Sequence, residues 1–87
     1  MVSKFLTILN AQGFHMRVAG TFVSAMEKYP CKVMIKYNGS LCDAKSVFSL
    51  MTACIKCGSE IELICDGEQE EEALAEGAKM IEDCLGE

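Results

Sequence analysis

Three groups of residues in this chain have types and spacing suited to chemistry. The first is the only histidine, His15, set in the run Gly13-Phe14-His15-Met16-Arg17. The residues that follow, to Tyr29, have the spacing of a helix. A loop thus delivers an imidazole to the start of a helix, with an arginine two residues on. The first N–H groups of a helix have no internal partner, and the macrodipole places partial positive charge there. A guanidinium adds bidentate donors. This combination suits a phosphate bound to the histidine or carried on it. Taken alone, a lone histidine is more often a surface or capping residue.

The second group centres on Ser46, placed to cap a short helix from Val47 to about Ala53. The third is Cys54-Ile55-Lys56-Cys57, a CxxC. A single such pair, with no second pair and no adjacent histidine, is a weak signal for a metal or redox site.

The elements that position these groups follow from periodicity. Val2 to Leu9 reads as a strand with Leu6 and Ile8 on one side. Asn10-Ala11-Gln12-Gly13 is a loop. Met16 to Tyr29 is an amphipathic helix with Ala19, Phe22, Val23 and Met26 on one stripe, ended by Pro30. Lys32 to Tyr37 alternates, with Val33, Ile35 and Tyr37 on one face. Asn38-Gly39 is a two-residue hairpin signal, and a short strand from Ser40 to Cys42 follows it. Glu60 to Cys65 alternates with Ile61, Leu63 and Cys65 inward, and Asp66-Gly67 turns the chain. Glu68 to about Leu85 is the last helix, with Leu74, Ala78, Ile81 and Leu85 on its stripe and Gly86 as a stop signal. The order is β-α-β-β-α-β-α. Each strand has one apolar face, which predicts a sheet covered by helices on one side and wet on the other.

The 87 residues bound the chain to one domain. The net charge of −5 hides an asymmetry: from Glu60 onward there are eleven acidic residues and one lysine, while residues 1–59 hold seven basic and two acidic residues. Such an acidic domain argues against nucleic-acid binding, and its basic half, which contains His15, suits an acidic partner or a phosphoryl group. No apolar run is long enough to span a membrane, and Met1 to Lys4 shows no export signal, so a cytoplasmic location is expected. The six cysteines (Cys31, Cys42, Cys54, Cys57, Cys65 and Cys84) are accordingly expected as reduced thiols.

The element order, the Gly13–Arg17 run and the segment Ala44-Lys45-Ser46-Val47-Phe48-Ser49-Leu50-Met51 together resemble the HPr family, the histidine-containing phosphocarriers of the sugar phosphotransferase system. The resemblance covers nearly the whole chain. It implies an α+β fold, an open-faced β-sandwich in which three helices cover one face of a four-stranded antiparallel sheet, spanning residues 1–87 as one domain. It also implies that enzyme I, phosphorylated from phosphoenolpyruvate, transfers its phosphoryl group to Nδ1 of His15. The chain then passes the group to sugar-specific enzyme IIA domains. Arg17 matches the arginine that steadies the phosphoryl group. Such a protein is a covalently modified carrier rather than a turnover enzyme, and it needs no cofactor and no metal.

Ser46 matches a serine that an ATP-dependent HPr kinase/phosphorylase modifies in many relatives. That modification slows transfer at the histidine and promotes binding to a catabolite-control transcription factor. Phe14, Met16, Val18, Val47, Phe48 and Met51 lie on or beside the two helix starts and form the candidate docking surface; the competing expectation is that some of them are core, Phe48 above all, which is expected to be core or half-buried. Two positions depart from the family: Val18 stands where proline is usual, and Cys54 where glycine is common. If the backbone keeps a positive φ at Cys54, the strain is of the order of 1 kcal/mol. The alternatives to a carrier are an HPr-like regulatory protein acting mainly through Ser46, and a CxxC metal or redox module.

Overall fold

The computed structural model describes residues 1–9 and 13–83. The expected loop at Asn10-Ala11-Gln12, Cys84, and the helix end at Leu85-Gly86 lie outside the described residues.

Alternation of apolar and polar residues produces the strands where it was expected. β1 runs Val2–Thr7, β2 Lys32–Tyr37, β3 Ser40–Asp43 and β4 Glu60–Asp66. Between them lie α1 (Met16–Met26), α2 (Val47–Thr52) and, last, α3 (Glu70–Glu82). The β2–β3 hairpin closes at Asn38-Gly39, both at positive φ (51° and 79°), with Tyr37 paired to Ser40. Two consecutive positive φ values match the twist of the flanking strands, and asparagine and glycine tolerate them best.

The sheet is antiparallel in the order β1-β4-β2-β3. The last strand is therefore inserted between the first two. One face carries the helices over a core of Phe22, Ile8, Met26, Ile35, Leu50, Ile61, Leu63, Ile81, Val18, Val33 and Cys65, all fully buried. Antiparallel β4 starts where β1 ends, so the chain just before β4 runs beside the chain just after β1. Ile8 N–H donates to the Ser59 carbonyl at 2.9 Å, and Gly58 N–H donates to the Ile8 carbonyl at 2.8 Å. This pairing continues β1–β4 register past the formal strand end at Thr7.

The helix ends differ from expectation for local reasons. α1 stops at Met26, three residues short of Tyr29, because the chain tightens: Tyr29 N–H reaches back only to the Met26 carbonyl, at 3.1 Å. α3 starts at Glu70, two residues later than Glu68, since Gln69 is its N-cap in a left-handed conformation (φ 62°). Glu70 turns back onto this entry, accepting Gly67 N–H on Oε1 at 2.9 Å. The buried stripe of α3 is Ala73, Gly77, Ala78 and Ile81, with Leu74 only half-buried. Small residues bring this helix close to the sheet: a Cβ on Gly77 would stand 2.8 Å from Cδ2 of Leu63.

Candidate functional site

The N-cap of α1 is His15 itself, extended at φ −85° and ψ 174°, with no side-chain capping hydrogen bond. Its carbonyl already takes part in the helix, accepting Ala19 N–H at 2.9 Å. Its imidazole is therefore a side chain carried at the positive end of the helix rather than a cap folded onto it. The residue is half-buried, and Arg17 is exposed one residue into the helix proper. Thr21 Oγ1 donates to the Arg17 carbonyl at 3.0 Å, one turn along.

The loop reaches this position through Gly13. Its φ of +64° is left-handed, and its Cα lies against the Ile55-Lys56 backbone: a Cβ there would overlap the Ile55 carbonyl oxygen and come within 2.9 Å of Lys56 Cα. Only glycine fits, both for conformation and for space. Phe14 N–H then donates to that same Ile55 carbonyl at 3.1 Å, and His15 N–H donates to the Gly13 carbonyl at 3.1 Å. The Phe14 ring is buried edge-on against Phe22, centroids 5.7 Å apart. The imidazole is thus flanked by a side chain locked in the core and a backbone held by the segment after α2. The Ile55 carbonyl is a positioning group that sequence reasoning did not reach; nothing local in the sequence marks it.

Ser46 caps α2 as expected. Its Oγ accepts Ser49 N–H at 3.2 Å, and its carbonyl accepts Leu50 N–H at 3.2 Å. Asp43 shapes the entry: Oδ1 accepts Lys45 N–H at 2.9 Å and the carbonyl accepts Ser46 N–H at 3.1 Å. Charge separates the three helix starts. α3 fills its first turn with Glu70, Glu71 and Glu72, whereas neither α1 nor α2 has an acidic residue there. A carboxylate in the first turn competes with any other anion for the dipole. The two helices capped by His15 and Ser46 are the ones that leave that end to another anion.

The six residues expected around these starts divide. Met16 (67% exposed), Phe48 (79%) and Met51 (38%) are open to solvent, and Val47 is partly buried. Phe14 (5%) and Val18 (1%) are core residues and contribute no exposed surface. Phe14 turns inward to meet Phe22, and Val18 lies on the buried side of α1. The expectation for Phe48 is also corrected: α2 has under two turns and buries only Leu50, and Phe48, two residues before it, points away. α1 and α2 pack against one another, which carries both helix starts on one body.

Cys54 has φ 56°, so a non-glycine residue does occupy a left-handed position after α2. Among the described residues, no group of three or more histidine, cysteine, aspartate or glutamate side chains is placed to hold a metal ion. No described helix is long and apolar enough to cross a membrane.

A small α+β domain that carries a histidine at a helix N-cap, with a capped serine helix packed beside that helix, has the build of a phosphoryl carrier. Comparison with known proteins gives the family. A family model described as "PTS HPr component phosphorylation site" matches residues 2–83. The phosphocarrier protein HPr of Pseudomonas aeruginosa is 40% identical over 70 residues, covering 79% of this chain and 78% of its own. The HPr-like protein Crh of Bacillus subtilis is 30% identical over 83 residues, 95% of this chain and 98% of its own. Among solved structures, HPr-C-His from Thermoanaerobacter tengcongensis superposes with a TM-score of 0.95 at 29% identity, covering 100% of this chain and 98% of that one. The chain belongs to the HPr phosphocarrier family of the phosphotransferase system.

Proposed function

We propose that this chain accepts a phosphoryl group on Nδ1 of His15 from phosphorylated enzyme I and passes it to sugar-specific enzyme IIA domains. The lone pair of the neutral imidazole attacks phosphorus as the donor's bond to phosphorus breaks, and the reverse exchange delivers the group onward. Arg17 steadies the transferred group, and the acid-free start of α1 favours the anion once it is bound. A half-buried imidazole at the helix start leaves the group within reach of the next acceptor. Met16, Val47, Phe48 and Met51 supply the docking surface; Phe14 and Val18 support it from beneath. The observation that carries this reading is His15 as the N-cap of a helix without acid in its first turn.

The test is incubation with enzyme I and labelled phosphoenolpyruvate. Acid-labile, base-stable label that disappears in His15→Ala supports the reading. No label, under conditions that load an authentic HPr, sinks it.

A second reading is favoured by one observation: Ser46 is the N-cap of the other acid-free helix start, and a Crh protein is among the relatives. Phosphorylation of Ser46 by an HPr kinase/phosphorylase would add charge where the dipole tolerates it, and would act on partners, a catabolite-control transcription factor included, rather than by unfolding α2. ATP-dependent label lost in Ser46→Ala checks it; a chain that takes no label from the kinase counts against it.

A further inference from the structure

The Cys54-Ile55-Lys56-Cys57 segment is unused by phosphoryl transfer, yet it lies directly under the histidine loop. Both of its cysteines are exposed free thiols. The other described cysteines, Cys31, Cys42 and Cys65, are buried. Burial pushes the Cys42 thiol up and the Cys65 thiol up to about 11, the latter with help from neighbouring Cys31. Buried thiols of this kind are poor nucleophiles, so among the described cysteines reaction with an oxidant falls on the exposed pair.

The segment is fastened at Ile55 to the histidine loop and, at Cys57 and beyond, to the chain that leaves β1. Ile55 is buried, and its carbonyl accepts Phe14 N–H. Gly13 packs on the Ile55-Lys56 backbone. On the far side, Cys57 Sγ lies 3.8 Å from the Leu9 carbonyl, and Gly58 N–H donates to the Ile8 carbonyl. Cys54 holds its left-handed backbone without the freedom of glycine. Lys56 lies between the two cysteines in sequence.

We propose that Cys54 and Cys57 form a dithiol–disulfide site that reacts with low-molecular-weight disulfides and resets the seating of the histidine loop. The thiolate of one cysteine attacks a sulfur of the small disulfide, forming a mixed disulfide and expelling one small thiolate. The thiolate of the second cysteine attacks the protein sulfur of that mixed bond and expels the other. The protein dithiol loses two electrons and two protons, and the small disulfide becomes two thiols. A disulfide fixes its Cα atoms about 4.4–6.8 Å apart, so closure dictates the path of the intervening Ile55-Lys56 backbone. That backbone is what positions Phe14 and, next to it, His15. The effect on phosphoryl transfer rests on the reading of His15 given above; the disulfide and its structural effect do not.

The experiment incubates the full reduced chain with oxidised glutathione and then maps thiols by alkylation and mass. The expected product lacks free thiols at Cys54 and Cys57 together and is lighter by their two hydrogens, while Cys31, Cys42 and Cys65 are alkylated after unfolding. In the same samples the Phe14 amide resonance shifts on oxidation and returns on reduction. Cys57→Ser takes up glutathione as a mixed disulfide and does not close. Glutathione adducts on Cys54 or Cys57 without an internal bond in the wild-type chain overturn the proposal, as does a closed bond that leaves the Phe14 amide unmoved. Loading by enzyme I is then compared between the two forms, with slower loading expected of the oxidised one. Failure of the reduced form to load sinks the His15 reading, and leaves the disulfide and the amide shift to be judged on their own.

Discussion

Phe14 N–H donates to the Ile55 carbonyl at 3.1 Å, and the Cα of Gly13 rests on the same carbonyl. Two segments more than forty residues apart in sequence thus meet one residue before the candidate phosphoryl acceptor. The geometry of the histidine loop depends on that meeting as much as on the loop's own residues.

Gly13→Ala tests this contact. The new methyl group meets backbone rather than a movable side chain, and the residue keeps a positive φ. The loop must lift off Ile55, at a cost of about 2 kcal/mol or more. Chemical denaturation measures the loss, and the amide shifts of Phe14 and His15 report where it falls. An unchanged midpoint with unchanged shifts would show that the loop is not held this way.

Cys54→Gly is expected to act in the opposite sense. Cys54 holds φ 56° just past α2, a conformation glycine adopts without steric cost. Relief of strain predicts a gain of about 1 kcal/mol, reduced by the greater freedom of glycine in the unfolded chain. A thermal midpoint lower than that of the parent chain would refute the gain.

The Tyr29 hydroxyl donates to Oε1 of Glu76 at 2.5 Å, and Lys28 Nζ lies 2.9 Å from the same oxygen. The tyrosine hydrogen bond, then the lysine, holds the Glu76 carboxyl below its usual value, and the same bond pushes the Tyr29 hydroxyl up to about 12. A carboxylate with a lowered folded pKa stabilises the protein above its unfolded pKa, and that contribution is lost as pH falls through the folded value. A phenol with a raised pKa stabilises below its unfolded value near 10, and loses its contribution as pH rises toward about 12. Tyr29→Phe removes most of the first effect and all of the second. Its stability is predicted to converge on the parent's at both pH extremes and to differ most near neutrality, as read from denaturant midpoints across pH. A constant gap at all pH values would contradict the linkage.

Substitution at Phe48 is expected to separate docking from folding. The ring is 79% exposed, so Phe48→Ser is expected to change stability by no more than about 0.5 kcal/mol. The same substitution is expected to raise the enzyme I concentration needed for half-maximal loading of His15, through loss of apolar contact. Val18→Ala is the counterpart: its side chain is buried, so it costs stability, about 1–3 kcal/mol by loss of packing. Equal effects of the two substitutions on stability would deny the division between surface and core.

The sequence by itself determined the order of elements, the Asn38-Gly39 hairpin, the capping role of Ser46 and the position of His15 at the start of α1. These are properties of short stretches: apolar spacing, turn chemistry and capping depend on residues within a few positions of one another. The sequence misplaced the ends of α1 and α3, where Tyr29 folds into a tighter turn and Gln69 takes a left-handed cap. It also expected Phe48 to be at least half covered, which a helix of six residues with one buried side chain does not provide. Only the tertiary structure decided that β4 inserts between β1 and β2, that Phe14 and Val18 face the core, and that Ile55 holds the histidine loop. Each of these is a contact between residues far apart along the chain. No local preference encodes such a contact; it is selected by which apolar faces can be buried together once the sheet has formed.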